Sequence, residues 1–154
     1  MDEKIEDNTE EIKDETENET ENNAGRYISK YIKPNTPEYV HLEVYQMAYD
    51  FSIYLHRKVM KFPKPEKFTL QKDIRDAIDG ILDELELYEK LKKVSYLYNA
   101  DRYKSRLERK IRMAYDLGYS AMNRRTYEYC AKELRCIGGK LGNLIKTVQK
   151  ENKK

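Results

Sequence analysis

The chain has 154 residues, a length for one domain, and sets 30 Lys and Arg against 28 Asp and Glu. That near-balance hides a split, because residues 1–25 carry 11 acids and 2 bases whereas residues 26–154 carry 17 acids and 28 bases. No run approaches the roughly 18 apolar residues of a membrane span. The first 25 residues hold no apolar stretch of a secretory signal, and Cys130 and Cys136 make no disulfide framework. The expectation is a soluble cytoplasmic protein, with no membrane partner and a basic body suited to a polyanion.

Residues 1–25 contain no aromatic residue, and Met1, Ile5 and Ile12 are their only aliphatic residues larger than Ala. Such a stretch cannot bury enough apolar surface to offset its ordering entropy, so a disordered acidic tail is expected. A basic-aromatic connector follows, Arg26-Tyr27-Ile28-Ser29-Lys30-Tyr31-Ile32-Lys33. Tail and connector occupy 1–34 and the folded domain 35–150.

A first helix is predicted to open at Thr36-Pro37-Glu38, where Thr36 caps, Pro37 suits the first helical position and Glu38 meets the positive end of the dipole. Its stripe is Val40, Val44, Ala48, Phe51, Leu55 and Val59, and Pro63 and Pro65 end it. A second helix runs from near Thr69 to about Val94 with Leu70, Ile74, Ala77, Ile78, Ile81, Leu82 and Leu85 inward. A third begins near Asp101 with Tyr103, Leu107, Ile111, Ala114 and Leu117 inward, and Gly118 caps its end. A fourth runs from about Asn123 to Gln149 with Cys130, Leu134, Ile137, Leu141, Ile145 and Val148 inward. Nothing alternates with the period of a strand. Short connections between four long amphipathic helices predict an all-α fold, an antiparallel up-and-down four-helix bundle.

Few residues suggest chemistry. Glu38 and His41 form an E-x-x-H on a helix, half of what a di-iron bundle uses, but a complete site needs a second such motif and two more glutamates. His56, the other histidine, has no acid three residues before it. No phosphate-binding loop of the G-x-x-x-x-G-K-S/T or G-x-G-x-x-G kind is present. Two histidines on one helix give no triad, so neither catalysis nor a cofactor is expected. Cys130, on an apolar stripe, reads as a small buried hydrophobe.

Charge patterning is more informative. The second helix carries Asp73, Asp76, Asp79, Asp83, Glu84, Glu86 and Glu89 on its polar side. These acids read as a solvated face, as magnesium ligands helped by substrate phosphates, or as a surface for a basic face of another subunit. The third helix offers Arg102, Arg106, Arg109 and Arg112, flanked by Lys104 and Lys110, and Arg124 and Arg125 extend the positive surface into the fourth. Arginine in this abundance favours paired contacts with phosphate or carboxylate. Docking of nucleic acid or protein, ion pairing between subunits, and simple solvation are the three readings. The 14 tyrosines, without any tryptophan, suit core edges and subunit interfaces, and tyrosine can also stack on unpaired bases. Gly138, Gly139 and Gly142 weaken an otherwise good helix by about 1 kcal/mol each, which points to close packing of another helix or an oligomer axis; the other reading is a kink.

The segment His41-Leu-Glu-Val-Tyr-Gln-Met-Ala-Tyr-Asp50, then Lys61-Phe62-Pro63-Lys64 and Thr69-Leu70, resembles the start of the accessory variability determinant family of four-helix bundles. Glu133-Leu134-Arg135-Cys136-Ile137-Gly138-Gly139-Lys140-Leu141-Gly142, followed by Leu144-Ile145-Lys146, resembles its end. The related bundles encoded in intervening sequences of large-subunit ribosomal RNA genes have a different second helix from Asp79-Gly80-Ile81-Leu82-Asp83-Glu84-Leu85-Glu86. The acidic tail is not part of the family's bundle pattern, and Asn143 stands where an aromatic often follows the glycines.

The resemblance implies a homopentamer with a positive surface that binds the reverse transcriptase and the template RNA or cDNA of a diversity-generating retroelement. It implies a non-catalytic scaffold in mutagenic retrohoming. The alternatives are a ribosomal intervening-sequence bundle and a metal-binding bundle oxidoreductase. A tail with nine more acids than bases is expected to compete with nucleic acid for the basic body. Deleting residues 1–25 should then tighten RNA binding at low salt; unchanged affinity in a filter-binding assay would leave the tail a solubility segment.

Overall fold

A computed structural model describes residues 42–154. Four α-helices span them: α1 (Glu43–Val59), α2 (Leu70–Leu91), α3 (Val94–Asp116) and α4 (Arg124–Asn152). Short 3-10 turns at Lys64–Phe68 and Ser120–Met122 join α1 to α2 and α3 to α4, and no strand occurs among the described residues. The expected opening of the first helix at Thr36-Pro37-Glu38, the acidic tail and the connector lie outside the described residues, but Leu42 is extended (ψ 119°) and α1 opens at Glu43, so the expected single helix from Thr36 to Val59 is not continuous.

Each helix packs on the next, and α1 packs on α4, while neither diagonal pair comes close. The core is the meeting of the four apolar stripes. Phe51 and Leu55 of α1, Ile74, Ile78, Ile81 and Leu85 of α2, Leu97, Leu107 and Ile111 of α3, and Leu134 and Ile137 of α4 are all essentially without solvent exposure. Each such side chain contributes about 1.5–3 kcal/mol relative to an exposed one. Cys130 joins them, and burial pushes its thiol up to about 12. Ile145, expected inward, is half-buried, and Leu117 is exposed beyond the end of α3.

The α2–α3 boundary differs from the sequence expectation. α2 ends at Leu91 rather than near Val94, and α3 begins at Val94 rather than near Asp101. Lys92 adopts a left-handed conformation (φ 53°), and its N–H donates to the Tyr88 carbonyl, which closes α2 in the manner usual for glycine. Val94 then opens a stripe through the fully buried Leu97 and Ala100. The other ends match better. Gly118 is left-handed (φ 77°) just beyond α3, and the Asn123 side chain caps α4 by accepting from the Thr126 N–H.

Glu66 knots the two connections together. Its carboxylate accepts from the Thr69 hydroxyl at 2.7 Å, the Leu70 N–H at 3.1 Å and the Tyr119 hydroxyl at 2.8 Å. The hydrogen bonds from Thr69 and then Tyr119 hold that carboxyl below the usual range. Phe62 is buried with its ring 5.5 Å from that of Tyr119, so the turn after α1 leans on the link before α4.

Glycine is decisive at one place in the packing. A Cβ on Gly80 would come within 2.6 Å of the Tyr103 ring, so α2 meets α3 there through bare backbone. The glycines singled out in α4 behave differently. That helix runs unbroken through them, a Cβ on Gly139 or Gly142 would meet nothing within 4 Å, and one on Gly138 would meet only Lys104, at 3.1 Å from Nζ. Among the described residues no helix packs into Gly139 or Gly142. Gly80→Ala should therefore destabilise by about 1–3 kcal/mol through overpacking. Within a single bundle Gly139→Ala should stabilise by about 0.5–1 kcal/mol through helix propensity, and a loss instead would show that another chain packs there. Urea melts of the two variants read both signs.

Candidate nucleic-acid interface

The structure divides the eight basic residues singled out in the sequence. Arg106 and Lys110 face α2, where Asp73 takes both, at 4.0 Å and 3.0 Å. Other acids of α2 are also engaged within the chain. Glu86 accepts from the buried Tyr45 hydroxyl at 2.8 Å, Glu84 from Asn99 at 3.2 Å, and Asp76 and Glu89 pair with Lys72 and Lys92. Much of the acidic face is thus used by its own bundle. Arg102 is exposed on the first half of α3. Arg125 is exposed at the start of α4 and acts on Tyr54 of α1.

The remaining cations gather along the seam between α3 and α4. A groove of about 640 Å3 is lined on α3 by Lys104, Ser105, Glu108, Arg109, Ile111 and Arg112, and on α4 by Tyr127, Ala131, Leu134, Arg135 and Gly138. The residues recur at helical spacing on each wall, as one flank of a helix must. Ile111 and Leu134 form the closed bottom, each about 1% exposed. Tyr127 stacks on Tyr115 with centroids 4.5 Å apart and planes 13° from parallel. Arg124 stands one turn before Tyr127 and pairs with Glu128 at 3.0 Å.

Charge in the groove is lopsided. Lys104 pairs with Glu108 at 2.9 Å and lies over Gly138, its side chain only 15% exposed. Arg112 reaches Asp116 at 3.5 Å, but both side chains are more than half exposed, and such pairs contribute little. Among the described residues no carboxylate lies within 4.0 Å of Arg109 or Arg135, and no ion pair joins α3 to α4. Arginines on both walls of one groove therefore retain most of their capacity for an anion. Arg135 was not among the sequence candidates. Its signal was its phase on α4, one turn after Ala131 and two after Tyr127.

A second polar cluster lies at the seam of α1 and α4. Burial, and then the Glu133 carboxylate, push the Asp50 carboxyl up to about 7. Burial raises Glu133 as well, and Lys132 partly offsets it. The Tyr54 ring lies 4.5 Å from that of Tyr129, and burial raises both phenols. Among the described residues no group of three or more His, Cys, Asp or Glu is arranged to hold a metal ion. Glu38 and His41 lie outside them. No helix of the described residues is long and apolar enough to cross a membrane.

Comparison with models of known protein families gives no match, and comparison with curated proteins gives none either.

The Asp50 shift has a sign that can be tested. The folded chain holds this proton in a range where the unfolded chain has released it, so stability is greatest below about pH 4 as far as this group is concerned and falls as pH rises toward about 7. Asp50→Asn should flatten that slope. Urea midpoints at about pH 5 and about pH 8 measure it in both proteins.

Proposed function

We propose that this chain is a non-catalytic, oligomeric accessory protein that binds the reverse transcriptase and the template RNA or cDNA of a diversity-generating retroelement, supporting mutagenic retrohoming in the cytoplasm. The observation that carries the reading is the α3–α4 groove, where Arg109 and Arg135 have no acidic partner among the described residues and Arg112 has only an exposed one. A scaffold for nucleic acid needs this: guanidinium groups fixed on rigid helices and free to pair with phosphate. The resemblance of the segments at 41–70 and 133–146 supplies the retroelement, the polymerase and the pentamer.

The bundle proposed is antiparallel and up-and-down. Asp73 pairs with Lys110, Gly80 meets Tyr103, and Glu84 pairs with Asn99, a series that descends along α3 as it ascends along α2. The oligomer has room on α4, where Gly139 and Gly142 leave backbone uncovered by side chains of the described residues. A solution mass near that of five chains is expected from light scattering; a monomer would remove the oligomer from the proposal.

Phosphate contact makes RNA affinity fall steeply and log-linearly with salt, because each neutralised phosphate releases counterions. Reversing charge at Arg109 and Arg112 together should abolish RNA binding while leaving helix content intact, since both are exposed. Affinity that is flat between low and moderate salt would overturn phosphate contact. Loss of circular-dichroism signal in the double variant would make these arginines structural.

A further inference from the structure

We propose that the α3–α4 groove takes single-stranded nucleic acid, with an unstacked base against Tyr127 and Ala131 and the flanking phosphates on Arg109, Arg112 and Arg135. The inference rests on the reading of this face as a phosphate-binding surface. It adds the strand state and the place of contact.

Three features select a single strand. A duplex presents sugars and phosphates outward and keeps its bases stacked within, so it would rest on the arginines of the rims and leave the groove between them unused. A single strand turns both to account, since a free base has a flat face for an aromatic ring and its phosphates remain on either side. Secondly, Tyr127 is already held in place. Its stacking on Tyr115 restricts the ring before any ligand arrives, so little side-chain entropy remains to be lost.

Thirdly, Gly138 sets the shape of the groove. Lys104 lies flat across it, close enough that a Cβ would come within 3.1 Å of Nζ. A side chain at this position would lift Lys104 off the floor into the space a base requires. Gly138, prominent in the sequence, thereby has a use that no helix packing among the described residues supplies.

The same groove is less suited to an acidic protein helix. Such a helix is held by side chains that enter deep apolar pockets at successive turns. Here Ile111 and Leu134 are nearly closed over and offer almost no apolar surface of their own. What stays accessible is one tyrosine ring, the small side chain of Ala131 and guanidinium planes, and these suit bases and phosphates.

The test uses the full chain and fluorescence anisotropy at low salt. The probes are an oligouridine of about 12 nucleotides and the same strand annealed to oligoadenosine. The single strand should bind about tenfold more tightly than the duplex. Ala131→Gln fills the groove without changing charge and keeps a good helix former. It should weaken single-strand binding about tenfold and leave duplex binding as it was. Arg135→Glu, at an exposed position, provides a second variant that leaves the core untouched, and it should weaken the single strand as well.

Equal affinity for the two probes, with Ala131→Gln neutral, would overturn the groove while the phosphate-binding reading stands. Displacement of the oligouridine by polyglutamate of equal charge would overturn it in favour of an acidic protein segment. Failure of both RNA probes to bind would overturn the groove and RNA contact together.

Discussion

Where α2 passes α3, Gly80 has no side chain, and the Tyr103 ring occupies the space against its backbone. That contact brings the two helices together along the most extensively packed seam of the bundle. Asp73, Lys110 and Arg106 close the seam at one end, and Glu84 and Asn99 meet toward the other. Only two residues, Lys92 and Lys93, separate α2 from α3, so the seam extends right up to the turn. A helix held this firmly on one flank has its opposite flank fixed by the same packing. The arginines on that flank therefore stand on a rigid wall, as recognition of phosphate at fixed spacing requires.

The same geometry sorts the charges of α3. Sequence neighbours on this helix have opposite fates because a turn takes 3.6 residues. Arg106 and Lys110 are turned toward Asp73, whereas Arg109 and Arg112 are turned toward α4. A cation near an acid of its own chain has part of its field cancelled before a ligand arrives. One without such an acid does not. The number of basic residues on α3 thus overstates its capacity for anions, and the α4 flank holds the larger share of what remains.

The four stripes were legible because burial in a bundle imposes one periodicity, and residues such as Phe51, Leu55, Ile74, Ile78 and Leu107 obey it. The α2–α3 boundary was not legible, since the left-handed residue that closes α2 is Lys92 rather than a glycine or asparagine. The role of Gly80 was not legible because it depends on Tyr103, which lies on another helix. The basic residues of α3 were visible as a group, but their division between α2 and α4 depends on the rotation of α3 about its axis. The place of Arg135 was not legible for the same reason. It is isolated in sequence and joins Arg109 and Arg112 only when α3 and α4 are side by side.

On α4 two seams of opposite character lie almost back to back. Glu133 stands near Asp50, Tyr54 and Tyr129 toward α1, where burial disfavours the charged forms of these groups. Arg135, two residues further on, lies in the α3–α4 groove. At the first seam acids and cations are mixed, with Lys58, Lys132 and Arg125 near Glu133 and Tyr54, whereas the arginines of the second have no acidic partner among the described residues better than an exposed one. The two flanks of α4 thus differ in kind: one holds acids whose charged forms burial disfavours, and the other an arginine that faces those of α3 across the groove.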